Sequence, residues 1–302
     1  MENAISFTIC TPLHEAEGRI DALYESLAAQ TLPDFEWLIV DDGSAGVGAA
    51  RAEELAENAP FPIRILRSKR QRGEHIAVNR SVKEASGTFF VLLRSDEEMY
   101  PQTLERLLQH WKAIPASERP YFCSITGLSA RPDGTIRGDR FPSEVFDSTH
   151  FEAGGRYGIS GRKWGFHRTE VLREYPFPEK KGELFCPEGL VLNRIGQRYL
   201  TRYVNESFVT VHDDGTDRAV PAIEQSIRGS EGSALFFKEQ LSLPIPLSRK
   251  IRAAVSYVRL SLHAGRVPDD IYAQAPKKLF VFFALPFGFL LYRRDRKKGI
   301  GR

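Results

Sequence analysis

Acidic side chains follow two apolar segments of this sequence, at the points where strands would end. Residues 37–40 run directly into Asp41 and Asp42, and residues 89–93 are followed shortly afterwards by Asp96. In a parallel sheet the carboxyl ends of neighbouring strands meet at one edge, and open α/β sheets bind their ligands there. Clustered carboxylates suit a divalent cation, Mg²⁺ or Mn²⁺, that carries a substrate phosphate. The predicted chemistry is metal-assisted departure of a phosphate leaving group.

Taken alone, the motif Asp41-Asp42-Gly43-Ser44 is more typical of an ordinary acidic turn. The surrounding sequence supports a functional interpretation of this motif. Apolar runs and amphipathic stretches alternate through the first 110 residues, a pattern typical of alternating strands and helices. The strand-like runs are residues 5–10, 37–40, 63–66 and 89–93, and the helical stretches are residues 20–27, 75–85 and 101–111. After looser strands and turns, we expect helices at 168–175 and 187–199, strands at 201–205 and 208–212, and helices from 221 onward. The pattern predicts an α/β fold with a helical C-terminal extension.

Composition and charge exclude several classes of protein. The chain has 302 residues, of which 42% are hydrophobic, and a net charge of +3. Residues 277–302 hold eight Lys and Arg against one Asp, so this segment carries +7 and the rest of the chain −4. The body lacks a basic stripe interleaved with aromatic residues, so we expect no nucleic-acid partner.

Three widely spaced cysteines make a disulfide framework improbable. The N-terminus does not resemble a secretory signal, and we expect a cytoplasmic protein.

The C-terminal segment contains 14 apolar residues, 279–292, between Lys277-Lys278 and a cluster of Arg and Lys. Fourteen residues are too few to span a bilayer, which takes about 20 as a helix, and Pro286 and Gly288 are expected to interrupt the run further. Apolar insertion and basic charge act together at an anionic membrane surface. We therefore expect residues 277–302 to associate peripherally with the inner face of the cell membrane. The alternative is a core helix that covers the preceding domain.

The order of motifs resembles that of the family 2 glycosyltransferases, which have the GT-A fold and use nucleotide-diphosphate sugars. The resemblance extends from about Ile5 to Gly215. It rests on the strand ending at Thr11, Gln30-Thr31 before Phe35-Glu36, Val40-Asp41-Asp42-Gly43-Ser44, Gly73 with Ala77 and Asn79 before Ala85 and Gly87, and Asp96 before Pro101. It implies a GT-A, Rossmann-like mixed sheet flanked by helices.

The resemblance also assigns roles. It places Thr11 and Asp42 in the nucleotide base pocket with Asp41 beside it, and gives Gly73 a nucleotide-binding role through its lack of a side chain. Asp96 is implied to hold a divalent cation, Mn²⁺ or Mg²⁺, that bridges the two phosphates. A fixed cation of this kind stabilises the charge that develops on a departing diphosphate.

Three further residues have both a chemical and a structural interpretation. Glu188 lies where the family carries the base that deprotonates the acceptor hydroxyl, although a glutamate at a helix start also favours the helix dipole. His212 follows the last strand and is a candidate metal ligand, but such a histidine is more often a surface hydrogen-bonding group. Trp164 suits either stacking on an acceptor sugar or core packing.

Arg94 departs from the family pattern, because an acidic residue usually occupies its position. Its guanidinium could pair with the diphosphate and join the nucleotide-binding residues. It could instead repel a metal and leave a nucleotide-sugar binder without turnover, or it could point outward and change little.

The sequence thus predicts a GT-A domain over residues 1–218 and a helical extension over residues 219–302. The expected activity is inverting transfer of a sugar from a nucleotide-diphosphate donor to a glycan or lipid-linked acceptor in surface polysaccharide synthesis. The alternatives are a catalytically silent binder and a metal-dependent phosphohydrolase that uses the same carboxylates.

Overall fold

The computed structural model describes residues 5–13, 19–43, 47–212 and 222–300. The chain divides into two compact units. The sheet unit comprises Met1–Thr149, Ile159–Pro176 and Ile195–Thr216. The helical unit comprises His150–Gly158, Phe177–Arg194 and Asp217–Arg302.

Strands and helices alternate at the start of the chain, and helices alone occupy its end. In chain order they are β1 Phe7–Leu13, α1 Ile20–Ala28, β2 Phe35–Asp41, α2 Val47–Ala56, β3 Ile63–Arg67, α3 Glu74–Glu84, β4 Phe89–Leu92, β5 Glu97–Met99, α4 Thr103–Lys112, β6 Phe122–Ala130, β7 Val145–Ser148, α5 His150–Gly155, β8 Lys163–Arg168, α6 Thr169–Glu174, α7 Glu188–Ile195, β9 Leu200–Val211, α8 Ala222–Arg228, α9 Ser230–Gln240, α10 Leu247–His263, α11 Pro268–Ala273 and α12 Lys278–Lys297. The predicted α/β class is confirmed.

The sheet is mixed, in the order β3-β2-β1-β4-β8-β6-β9-β5, with β7 also paired to β9. Strands β3, β2, β1 and β4 are parallel, whereas β8 is antiparallel to both β4 and β6. Leu13 pairs with Asp41, so the carboxyl ends of β1 and β2 lie side by side. The two strands predicted over residues 201–212 form the single strand β9. The pairing of β9 with β6 shifts register around the polar residues 205–207, and the strand continues through them.

Aromatic side chains fill the core of the sheet unit. The ring centroids of Phe89 and Phe166 are 4.3 Å apart, and the Phe7 ring meets Phe166 edge-on at 5.8 Å. Trp164 belongs to the same core and is 4% exposed. Of its two interpretations, stacking on an acceptor sugar and core packing, the structure supports core packing.

In the helical unit, α10 and α12 pack closely together. A Cβ atom at Gly288 would lie 2.5 Å from Cγ1 of Val258, so the absence of a side chain permits this approach. The helix continues through Pro286, and the predicted interruption at Pro286 and Gly288 is wrong. Asp295, 2% exposed, accepts hydrogen bonds from Arg259 and joins the two helices.

Candidate functional site

Asp42 anchors the loop that precedes α3. Its carboxylate accepts hydrogen bonds from the backbone N–H of Arg72 at 2.9 Å and of Gly73 at 2.7 Å. The Asp42 N–H in turn donates to the carbonyl of Leu13 at 3.0 Å. One buried residue therefore connects the end of β1, the end of β2 and the start of α3.

Two glycines allow this loop to lie against the end of β2. Gly43 has φ +76° and Gly73 has φ +99°, backbone conformations that side-chain-bearing residues rarely adopt. A Cβ atom on Gly43 would lie 2.5 Å from the carbonyl carbon of Arg70. Only a glycine therefore lets the loop pass this closely over the Asp41-Asp42-Gly43 turn. Ser44 lies outside the described residues.

The two other residues predicted to surround a nucleotide base are buried at the same edge. The hydroxyl of Thr11 accepts a hydrogen bond from the Trp37 indole N–H at 2.9 Å, and both side chains are fully buried. The backbone carbonyl of Asp41 accepts from the N–H of Ser68 at 2.8 Å. In this arrangement Thr11 supports the end of β1 from within the core.

Arg94 follows β4 and pairs with Glu74, the first residue of α3. Its Nη2 lies 2.7 Å from Oε1 of Glu74, and its Nε donates to the same carboxylate at 3.1 Å. The backbone N–H of Arg94 donates to Oε2 of Glu97 at 2.8 Å. The guanidinium is thus held at the edge of the sheet beside the loop that Asp42 anchors.

A second guanidinium, that of Arg162, binds the two carboxylates at the start of β5. Its Nη1 lies 2.7 Å from Oδ2 of Asp96, and its Nη2 lies 3.0 Å from Oε1 of Glu97. Glu97 is fully buried. Burial raises the pKa of its carboxyl, and the opposing attraction of Arg162 and Arg94 does not cancel that effect. Arg162 is not among the residues predicted from the sequence, although Trp164 lies two positions further along the chain.

His212 is brought next to Asp96 by the pairing of β5 with β9. The N–H of His212 donates to the carbonyl of Asp96 at 2.8 Å. Its imidazole, however, lies against Glu98, with Nε2 3.1 Å from Oε1. The backbones of the two predicted metal ligands are therefore adjacent, while their side chains contact different partners.

These contacts decide whether the residues fit a divalent cation. Nowhere in the described part of the chain do three His, Cys, Asp or Glu side chains converge in a way that could hold a metal ion. The carboxylate of Asp96 is bound by Arg162, and His212 faces Glu98. Residues 213–215, which follow His212, lie outside the described residues. As arranged, the described donor set does not fit a divalent cation.

Glu188 is the first residue of α7, in the helical unit, and its side chain is exposed. His150, the first residue of α5, lies beside it, because a Cβ on Gly189 would be 3.8 Å from the Nε2 of His150. Burial lowers the pKa of His150, and the Glu188 carboxylate opposes that shift. The start of α7 therefore places an exposed carboxylate beside a partly buried imidazole.

The sheet edge with its anchored loop lies within a segment that matches a known family. Residues 8–182 match the model of glycosyl transferase family 2. The chain belongs to this family. The GT-A fold predicted from the motif order is also confirmed, because solved structures of this fold superpose on nearly the whole chain.

Among its relatives, an uncharacterized glycosyltransferase of Escherichia coli, YibD, is 31% identical over 181 residues, 57% of this chain and 51% of the relative. An undecaprenyl-phosphate 4-deoxy-4-formamido-L-arabinose transferase of Photorhabdus laumondii is 25% identical over 172 residues, 55% of this chain and 50% of that protein. The chain thus matches about half the length of these curated relatives.

Two solved structures share the fold. TarS of Staphylococcus aureus (residues 1–349), in complex with UDP-GlcNAc, has a TM-score of 0.56 at 18% identity, over 97% of this chain and 92% of the TarS chain. The mannosyltransferase PcManGT of Pyrobaculum calidifontis, in complex with GDP-Man and Mn²⁺, has a TM-score of 0.56 at 17% identity, over 96% of this chain and 82% of that chain.

Proposed function

We propose that this protein transfers a sugar from a nucleotide-diphosphate donor to a hydroxyl group of a glycan or lipid-linked acceptor in surface polysaccharide synthesis. The observation that carries the proposal is the family match over residues 8–182, which contains both the loop anchored by Asp42 and the edge formed by Arg94 and Asp96. The undecaprenyl-phosphate transferase among the relatives supports the lipid-linked class of acceptor.

The donor nucleotide is proposed to bind at the carboxyl edge of the sheet unit, with Thr11, Asp41, Asp42 and Gly73 around the base. Positive charge from Arg94 lies at the same edge, where its planar guanidinium matches the geometry of phosphate oxygens. The ion pair with Glu74 keeps that guanidinium oriented. The Arg94 side chain therefore loses less conformational freedom when a ligand binds.

The proposed transfer inverts the anomeric carbon. The acceptor hydroxyl attacks this carbon, the bond from the carbon to the diphosphate oxygen breaks, and the nucleoside diphosphate leaves with the electron pair. Glu188 is proposed to take the hydroxyl proton as general base. The exposed carboxylate at the start of α7 is consistent with that role.

A silent nucleotide-sugar binder is the second candidate, and Arg94 favours it. An arginine stands where the family usually carries an acidic residue, and the nearby Asp96 is bound by Arg162. Donor binding without transfer would be the result of such a site.

Transfer by the wild-type protein would exclude the silent binder, and Glu188→Gln tests the residue assigned as the base. We expect the variant to bind the donor nucleotide as wild type does and to lose at least about a hundredfold in transfer, the contribution typical of a general base. The measurement is release of nucleoside diphosphate with a panel of donors and acceptors, beside a thermal-shift assay of nucleotide binding. Glu170→Gln is the matched control, because Glu170 is also an exposed glutamate in the first turn of a helix. Turnover retained by Glu188→Gln would refute the assignment.

We further propose that α12 docks on an anionic membrane surface. Its exposed large apolar residues lie on one broad face of the helix; they are Leu279, Phe282, Phe283, Phe287, Phe289 and Leu290. Exposed basic residues lie at both ends, Lys277 and Lys278 before this face and Arg293 and Arg294 after it. Charge complementarity therefore favours a surface of anionic lipid.

Two features of the helical unit support an interfacial position. An open apolar groove of about 300 Å³ runs along α10 and α12, with Ile251 and Val255 on one side and Phe283 and Phe287 on the other. None of the helices seen in the described ranges has the length and apolar character needed to cross a membrane. A helix that lies in the plane of the interface satisfies both observations.

A further inference from the structure

The carboxylate of Asp96, which is expected to hold a metal, is bound instead by a guanidinium group. Asp96 and Glu97 are consecutive, and the guanidinium of Arg162 contacts both, at 2.7 Å and 3.0 Å. Glu97 has no exposed surface, and the Asp96 and Arg162 side chains are 20% and 23% exposed. Arg162 therefore occupies the space in which Asp96 would coordinate an ion.

We infer that Arg162 replaces the divalent cation as the group that binds the donor diphosphate, and that Asp96 acts as the residue that positions Arg162. This role deepens the proposed transfer and depends on it. When the bond from the anomeric carbon to the diphosphate breaks, the electron pair and the new negative charge go to the diphosphate. A permanently charged guanidinium held close to the leaving oxygen stabilises that charge most at the transition state.

The hydrogen-bonding capacity of Arg162 allows both roles. A guanidinium has five N–H donors in a planar fork, and the contacts with Asp96 and Glu97 use no more than three of them. The remaining donors can reach phosphate oxygens without releasing the two carboxylates. Asp96 and Glu97 thus fix the orientation of the fork before the donor arrives, which reduces the entropic cost of binding.

Arg94 adds a second fixed cation at this edge. Its side chain is held by Glu74 through two nitrogen atoms, and its backbone N–H donates to Glu97. Glu97 therefore contacts both arginine residues, one through a guanidinium and one through a backbone amide. The arrangement places two guanidinium groups, each paired with a carboxylate, where the family usually has an acidic residue and a metal ion.

A divalent cation would have to compete with this arrangement. To bind Asp96 it would have to displace Arg162, leaving the guanidinium beside a second positive charge. Coulombic repulsion between two cations a few ångströms apart opposes such binding. We therefore expect nucleotide binding by the wild-type protein to be independent of Mn²⁺.

The test is a binding experiment with the full chain, measured by isothermal titration after a thermal-shift screen of UDP, GDP, ADP, CDP and dTDP. The probe is the stabilising nucleoside diphosphate, titrated in EDTA and again in excess Mn²⁺, beside the corresponding nucleoside. We expect wild-type affinity for the diphosphate to agree within about twofold between the two conditions, since Arg162 already neutralises Asp96. Affinity for the nucleoside reports on the base pocket alone.

Three variants test whether Arg162 is the side chain that binds the diphosphate. Arg162→Gln should weaken diphosphate binding about tenfold or more, the loss expected when a charge-assisted hydrogen bond is removed, and leave nucleoside binding unchanged. Arg162→Lys should restore part of the affinity, because it keeps the charge and loses the fork. Asp96→Asn should weaken diphosphate binding less than Arg162→Gln. Arg202→Gln is the matched control, because Arg202 forms a similar fork with Asp147, at 2.8 and 2.9 Å.

The outcomes are distinct. Binding that requires Mn²⁺, or Arg162→Gln with wild-type diphosphate affinity, would overturn the role of Arg162 and leave the proposed transfer standing. If none of the five nucleotides binds to the wild-type protein, the proposed function fails, and the role of Arg162 fails with it. If Arg162→Gln does not fold, diphosphate affinity is compared between Arg162→Lys and wild type, in EDTA and in Mn²⁺. Weaker binding by Arg162→Lys would support the role of Arg162, and equal binding would overturn it.

Discussion

Removing two phenylalanines from the exposed face of α12 should weaken membrane binding by a calculable amount. Phe283 and Phe287 are 64% and 61% exposed. Full burial of a phenylalanine contributes about 1.5–3 kcal/mol, so the exposed fraction of each can contribute roughly 1–2 kcal/mol at an interface. Substituting both by Ser should remove about 2–4 kcal/mol, which lowers the partition coefficient roughly 30-fold to several hundred-fold.

The assay is flotation of the purified protein with vesicles of phosphatidylcholine, with and without about one-third phosphatidylglycerol. Wild type should bind the anionic vesicles more strongly than the neutral ones, because each basic residue near the surface contributes about 1 kcal/mol of binding free energy. Salt should reduce this difference. Phe283→Ser/Phe287→Ser should lose binding at low and high salt alike. Tyr121→Ser is the matched control, because Tyr121 is an aromatic residue of the sheet unit with 65% exposure.

A folded variant that still binds vesicles would contradict docking through α12. If Phe283→Ser/Phe287→Ser is folded, by its thermal transition, and binds anionic vesicles as tightly as wild type, the apolar face of α12 does not mediate docking. Equal loss of binding in Tyr121→Ser would show that the effect is not specific to α12.

Two further predictions concern stability, both measured by urea denaturation. Glu36 is buried, which would raise its pKa, but hydrogen bonds from Thr8 at 2.7 Å and from the Ser86 N–H at 2.7 Å outweigh burial and lower it. Its stabilisation is therefore complete above the ordinary value near 4.5 and is lost as the pH falls through the lower folded-state pKa. Glu36→Gln should cost about 1–3 kcal/mol at pH 7 and less in acid; a cost that does not change with pH would contradict this. Gly288→Ala should cost about 1–3 kcal/mol through the clash with Val258, and adding Val258→Ala should restore part of it; a neutral Gly288→Ala would contradict the close packing.

Strands β1, β2 and β4 could be predicted because they are short apolar runs whose residues are almost all buried. β2, for example, is buried along its whole length and is read easily from residues 37–40. Helix α2 carries no clear sequence signal, because its alanine-rich sequence has little amphipathic contrast. β5 consists of Glu97, Glu98 and Met99, and only its pairing with the distant β9 makes it a strand.

The candidate site was predictable in its acidic residues and not in their partners. Asp42 stands out because it directly follows an apolar strand. Its carboxylate binds backbone N–H groups of Arg72 and Gly73, and a backbone group leaves no signature in the residue types. Arg162 is 66 positions from Asp96 along the chain, and the two meet only because β8 and β5 belong to one sheet. Distant pairs of this kind depend on tertiary structure.

For the C-terminal helix α12, too, some features are visible in the sequence and others depend on tertiary structure. Its apolar run and basic flanks are visible in the sequence, and they predict an interfacial segment. The close contact between Gly288 and Val258 and the buried pair of Asp295 with Arg259 are not visible, because each needs α10 and α12 side by side. Tertiary packing therefore turned an expected break at Pro286 into a continuous helix.

Glycosyl transfer by this protein is best tested by measuring release of nucleoside diphosphate from donor sugars by the full chain, with and without lipid-linked and oligosaccharide acceptors. We predict release that requires an acceptor, is accompanied by a glycosylated product and is lost in Glu188→Gln. Equal release without acceptor would indicate hydrolysis. Tight donor binding with no release under any condition would indicate a silent binder, and either result would contradict glycosyl transfer.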